Sequence, residues 1–100
     1  MIRVLVLYQR QEGKKFDLEY YKNFHLPLVK DRLSPVKMEI DLGTTVMGKD
    51  SPYIAITYMY FDSVQQLAAK YFFASAELNE DVEKFTDTKL VFQISEIVEM

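Results

Sequence analysis

Nine consecutive residues, Tyr53-Ile-Ala-Ile-Thr-Tyr-Met-Tyr-Phe61, contain no charge and no helix breaker, and they set the strongest limit on the fold. Side chains of a strand alternate between two faces. Here Ile54, Ile56, Tyr58 and Tyr60 fall on one face, and Tyr53, Ala55, Met59 and Phe61 on the other. A strand that is apolar on both faces belongs inside a sheet that is covered on both sides. The segment Ile2 to Tyr8 repeats the pattern, with Ile2, Val4 and Val6 opposite Leu5 and Leu7. Any architecture for this chain must shield both faces of these two strands.

The remaining elements are read from period and punctuation. Polar residues from Gln9 to Lys15 close the first strand. Phe16, Tyr20, Phe24 and Leu28 then recur every four residues, flanked by Leu18 and Tyr21, with Glu19, Lys22, Asn23 and Lys30 on the other side. That spacing predicts an amphipathic helix. Pro27 lacks a backbone donor and is expected to bend or break it near Asn23 to Leu26. Val36 to Leu42 alternates as a strand with one wet face. Gly43 and the stretch Met47 to Pro52 predict a turn region. After Tyr53–Phe61, Asp62 or Ser63 caps a second helix carrying Val64, Leu67, Ala68, Tyr71 and Phe72. The acidic segment Ser75 to Phe85 is expected to add a helical turn or two, and Leu90 to Val98 a closing strand.

The order β-α-β-β-α-β is that of the ferredoxin-like α+β fold, a four-stranded antiparallel sheet with both helices on one face. One hundred residues suit a single domain spanning residues 1–100. The two-faced strands leave the other sheet face apolar, which predicts burial against a second copy with closed two-fold symmetry.

Several function classes fall away. The formal net charge of −3 gives no basic footprint for nucleic acid. No stretch approaches the roughly 18 apolar residues of a membrane span, and the first eight residues lack the build of a signal peptide. With no cysteine in the chain there are no disulfides or thiolate ligands, which is compatible with a cytoplasmic setting. One histidine without cysteine cannot furnish the ligand sets that zinc or copper prefer, so no metal is expected. Gly13, Gly43 and Gly48 are scattered, so no phosphate loop and no bound cofactor are expected. No nucleophile-elbow signature is present.

His25 is the single side chain whose ordinary pKa lies near neutrality, and its position at the flank of the helix stripe faces the groove between helix and sheet. Tyr8, Tyr20, Tyr21, Tyr58, Tyr60, Glu77, Asp81 and Glu83 are candidates to lend it a hydroxyl or carboxyl. Tyrosines suit a pocket because each is mostly apolar with one directed hydrogen bond.

The residues Phe16-Asp17-Leu18-Glu19-Tyr20-Tyr21-Lys22-Asn23-Phe24-His25-Leu26-Pro27-Leu28 resemble the first-helix signature of the EthD-like proteins, Phe-x-x-x-Tyr-x-x-x-His-x-Pro-Leu. Ser75-Ala76-Glu77 and then Asp81 to Asp87 resemble their second signature, an acidic stretch ending in Asp-x-x-x-Phe-Thr-Asp. The resemblance implies a dimeric α+β barrel, in which two sheets close against each other, and a pocket for small cyclic or aromatic compounds. Its wider superfamily includes cofactor-free monooxygenases, lactone isomerases and polyketide cyclases. Through it, His25 matches the motif histidine, Tyr20 the helix tyrosine, and Asp81 and Phe85 the second motif. Ser34-Pro35-Val36 departs from the Pro-Gly-Leu common in relatives, which alters the turn after the helix.

Three functions are compatible with these residues. The first is a cofactor-independent enzyme on a small cyclic or aromatic oxygenated compound, with His25 as general acid or base. In it Asp81 holds the imidazole tautomer and Tyr8, Tyr20, Tyr21 and Phe85 contact the substrate. The second is a non-catalytic homodimeric binding protein for a small hydrophobic metabolite. The third is a structural dimer whose pocket is filled by its own side chains.

Overall fold

The β-branched and apolar run Ile2–Gln9 forms β1 at the centre of the sheet. The computed structural model describes all residues, 1–100. Strands β2 (Lys37–Leu42), β5 (Tyr53–Phe61) and β6 (Leu90–Glu96) complete a four-stranded sheet in the order β2-β5-β1-β6. Every pair is antiparallel, with Val4 opposite Met59 and Ile94, and Met38 opposite Met59. Both helical elements cover one face, as the β-α-β-β-α-β order predicts.

The first helix begins as α1 (Leu18–Tyr20), opens into a π-helical turn over Tyr21–His25, and continues as α2 (Leu26–Leu33). The Asp17 side chain caps it by accepting the Tyr20 N–H at 3.1 Å. Pro27 neither ends nor sharply breaks the helix. Its missing donor is accommodated one turn earlier, where the Leu26 N–H bonds to the Tyr21 carbonyl, five residues back. The extra residue in that turn moves the buried stripe. The expected stripe Phe16, Tyr20, Phe24, Leu28 gives way to Tyr21, His25, Leu26, Val29 and Leu33, and Phe24 is left 63% exposed.

The second helix, α3 (Val64–Val82), is capped by Ser63, whose hydroxyl accepts the Gln66 N–H. It is a single helix of 19 residues, so the acidic segment continues it and forms no separate piece. The expected turn after β2 is a short hairpin, β3 (Thr45–Val46) with β4 (Lys49–Asp50). The closing strand ends at Glu96, two residues before Val98.

Val4, Met59 and Phe61 from the sheet pack with Val29, Leu33, Leu67 and Leu78 from the helices as one core cluster. Burial of each such side chain contributes about 1.5–3 kcal/mol before entropy is subtracted. The opposite sheet face carries Leu5, Leu7, Ile56 and Val91 at its centre, with Tyr58 and Tyr60 beside them. Nothing in the chain covers that face. Its β2 flank is charged, with Tyr58 donating to Asp41 and Tyr60 to Glu39. No helix is long and apolar enough to cross a membrane.

Candidate functional site

The π-turn aims His25 at the sheet, and α3 brings Asp81 beside it. His25 Nδ1 lies 2.8 Å from Asp81 Oδ2, and both residues are buried. The other carboxylate oxygen accepts the Tyr20 hydroxyl at 2.7 Å, with Lys84 Nζ 3.6 Å away. Farther along, the Arg32 guanidinium holds Glu77 at 2.7 Å and ties α2 to α3, which fixes the spacing of the dyad.

The second signature has a physical meaning in the fold. Asp81 binds the histidine, and Phe85 is fully buried with its ring centroid 4.6 Å from the imidazole. Thr86 Oγ1 donates to the Lys15 carbonyl at 2.6 Å, and the Asp87 carboxylate accepts the Lys15 N–H at 2.9 Å. The Asp17 N–H bonds to the Phe85 carbonyl at 2.7 Å. Each conserved-type group in that segment therefore grips either the histidine or the loop that launches its helix.

Between the sheet and the helices lies a cavity of about 60 Å³, walled almost wholly by apolar side chains. That is room for several waters. Tyr8 and His25 line its inner end, and Val6, Met59, Leu67 and Leu78 form much of its wall. Tyr71, Asn79, Leu90 and Phe92 lie toward the opening between α3 and β6, where Phe92 is 43% exposed. No hydrogen bond within the chain takes up the Tyr8 hydroxyl or His25 Nε2.

Burial lowers the His25 pKa from its ordinary 6.5, outweighing the hydrogen bond and charge of Asp81, which raise it. For Asp81, burial works upward. The hydrogen bonds from Tyr20 and His25, with the charges of His25 and Lys84, overcome it and hold the carboxyl below its usual range. At neutral pH the imidazole is thus neutral beside a carboxylate. Nδ1 then carries the proton donated to Asp81, and Nε2 presents a lone pair. Burial, then the nearby Tyr21, push the Tyr8 phenol well above its ordinary value, so it remains a donor. This pairing of acceptor and donor in a dry cavity is the equipment of general acid–base chemistry.

Of the six residues expected at the site, His25 and Tyr8 reach the cavity wall and Asp81 stands directly behind the imidazole. Tyr20, Tyr21 and Phe85 stand behind the wall. The Tyr20 hydroxyl is spent on Asp81, which raises its pKa first through that hydrogen bond. The Tyr21 hydroxyl pairs with Thr57 Oγ1 at 2.6 Å, and burial pushes its pKa up to about 12. Phe85 packs edge-on against Tyr8 and Phe16. Asn79, Tyr71 and Phe92 were not foreseen as cavity residues. The signal available for Asn79 was an uncharged amide within an acidic run. No cluster of three or more His, Cys, Asp or Glu side chains is placed to hold a metal.

Fold and site together define a ferredoxin-like α+β domain with a buried His–Asp dyad at a cavity between sheet and helices. The EthD domain model matches residues 11–89, and the chain belongs to that family. An EthD-like protein from Ralstonia eutropha JMP134 has a solved structure that is 32% identical, with a TM-score of 0.89 over 98% of this chain and 92% of that one. An ethyl tert-butyl ether D (EthD) family protein from Bacillus halodurans C-125 is 22% identical, with a TM-score of 0.79 over 98% of this chain and 99% of that one. A dimeric protein of unknown function and ferredoxin-like fold from Bacteroides fragilis NCTC 9343 is 13% identical, with a TM-score of 0.57 over 96% and 95% of the two chains. No curated protein matches the chain.

Proposed function

We propose that the protein is a homodimeric, cofactor-independent enzyme that moves a proton on a small cyclic or aromatic oxygenated compound. His25 is the general base through Nε2, Asp81 orients the imidazole, and Tyr8 donates a hydrogen bond to a substrate oxygen. One observation carries the reading. The two polar groups of the inner cavity, the Tyr8 hydroxyl and His25 Nε2, have no partner in the chain, while every polar group behind them is paired. The apolar wall suits a ring, and the two free groups suit an oxygen and the acidic proton it activates.

The homodimer rests on the uncovered sheet face. Leu5, Leu7, Ile56 and Val91 form its centre, and buried Arg3 Nε beside Tyr60 has no hydrogen-bond partner. A second copy would cover the apolar centre and bring acceptors to that guanidinium.

The test follows the single imidazole by NMR through a pH titration, alone and then with a panel of quinones, phenols and lactones. The expected result is a pKa below 6.5 that responds to one class of ligand. Turnover of that class should disappear in His25→Ala while the dimer persists. Unchanged turnover in that variant refutes the role of His25, and ligand binding without any product leaves a binding protein.

A further inference from the structure

The hairpin β3–β4 is built more rigidly than a connecting turn requires. A Cβ at Gly43 would lie 2.2 Å from the Tyr53 carbonyl oxygen, so only glycine lets the chain leave β2 this close to β5. Arg10 Nε donates to the Ser51 carbonyl at 2.8 Å, and the Arg10 N–H donates to the Pro52 carbonyl at 2.9 Å. Ser51 Oγ donates to the Thr44 carbonyl at 2.6 Å and accepts the Thr44 N–H at 3.2 Å. The Thr45 hydroxyl donates to the Asp50 carboxylate across the pair.

The tip of this arm is chemically misplaced for a free loop. Met47 and Gly48 have φ of 54° and 77°, the two left-handed positions of a tight hairpin turn. Asn, Asp or Gly suits the first of them, and a larger side chain there costs about 1–2 kcal/mol. Met47 occupies it at 96% exposure, next to Val46 at 62%. An ordered arm thus holds two apolar side chains in water, one of them in a strained backbone conformation.

A matching surface exists at the far edge of the sheet. The cavity opens between α3 and β6, where Phe92 is 43% exposed and Phe72 on α3 is 78% exposed. Phe72, Asn79 and Glu83 share one flank of α3 by helical spacing. Lys49 on the arm and Glu83 beside the opening each lack an ion-pair partner in the chain.

Register places the arm and the opening at the same end of the sheet, because Leu42 and Tyr8 both pair with Ala55, and Leu90 pairs with Tyr8. If two copies stack open face to open face about an axis parallel to their strands, each β2 lies over the partner's β6 and the ends are preserved. Four residues from Gly43 extend about 13 Å, enough to pass the roughly 10 Å between stacked sheets.

We propose that the hairpin of one copy closes the cavity mouth of the other, with Val46 and Met47 packed on Phe72 and Phe92 and Lys49 paired with Glu83. This rests on the homodimer reading above, and makes each cavity complete only in the dimer. The chain has no cysteine, so introduced thiols are unique. Met47→Cys and Phe72→Cys proteins, each on an exposed side chain, are mixed, allowed to exchange subunits and treated with a short bis-maleimide. A covalent dimer should form in the mixture and in neither protein alone. A non-covalent dimer by light scattering that yields no mixed cross-link, or a Met47→Cys protein that links to itself, overturns the arm while leaving the dimer. A monomer by light scattering overturns both.

Discussion

Replacing Asp81 by asparagine removes one charge and leaves the shape, and its effects follow from who donates to whom. In the native site both carboxylate oxygens accept, one from Tyr20 and one from His25. An amide has one acceptor oxygen. The Tyr20 hydroxyl competes for it, and the amide nitrogen then faces His25 Nδ1 as a donor. The imidazole must switch its proton to Nε2, which removes the lone pair from the cavity. A positioned base is worth about 10²–10⁴ in rate, so turnover should fall by that order. The histidine pKa should fall further, because the raising influences of Asp81 are gone and burial remains. For stability, a hydrogen bond to an ionised group contributes about 1.5–3 kcal/mol and a neutral one about 0.5–1.5. The exchange costs roughly 1–1.5 kcal/mol, which lowers Tm by about 4–12 °C for a domain of this size. NMR titration of His25 and a thermal melt of Asp81→Asn measure both. A histidine pKa that rises in the variant refutes the geometry drawn here, and an unchanged Tm refutes the worth assigned to the pair.

His25 and Asp81 bind protons less readily folded than unfolded, so acid must destabilise the protein. The His25 part is fully present above the unfolded value near 6.5 and is lost as pH falls from there through the lower folded value; the Asp81 part is lost below about 4. Urea unfolding at several pH values should show the first loss in the native chain and not in His25→Gln; an identical slope in both contradicts it. Thr57→Val strands the buried Tyr21 hydroxyl at a cost of about 1–3 kcal/mol. The double variant with Tyr21→Phe should recover part of that loss, and strict additivity in denaturation would count against the pairing. Ser34 ends α2 with φ 45° and ψ 56°, a left-handed conformation that suits glycine. Ser34→Gly should therefore raise stability by about 0.5–1 kcal/mol in urea at constant m, once the greater freedom of unfolded glycine is subtracted; a lower midpoint refutes it.

The sheet could be read from the sequence because its strands carry unambiguous period-two patterns between clear breakers. Tyr53–Phe61 has the bounds its composition predicts, and the two faces assigned to Ile54/Ile56 and Ala55/Met59 are the ones the register shows. Expectation failed where backbone geometry, and not side-chain pattern, decides. The length of α3 was hidden because Glu77, Glu80 and Glu83 look like a solvated loop, although Ala74, Leu78 and Asp81 continue its buried side. The hairpin at Thr45–Asp50 has strands of two residues, too short for any periodic signal.

The site shows the same division more sharply. His25 and Asp81 could be singled out as residue types, yet period-four reading put Phe24 on the buried side. The π-turn reverses that, because one extra residue between Tyr21 and Leu26 rotates everything beyond it. Its cause is local: Pro27 cannot donate, so the turn before it must find other bonds. Its consequence is not local. The rotation sets Tyr21 against Thr57 on β5 and His25 against Asp81 on α3, and sends Phe24 into solvent. A proline two residues after the histidine thus acts as a positioning element for the dyad, and the spacing His-x-Pro has a mechanical reason independent of any contact with a ligand.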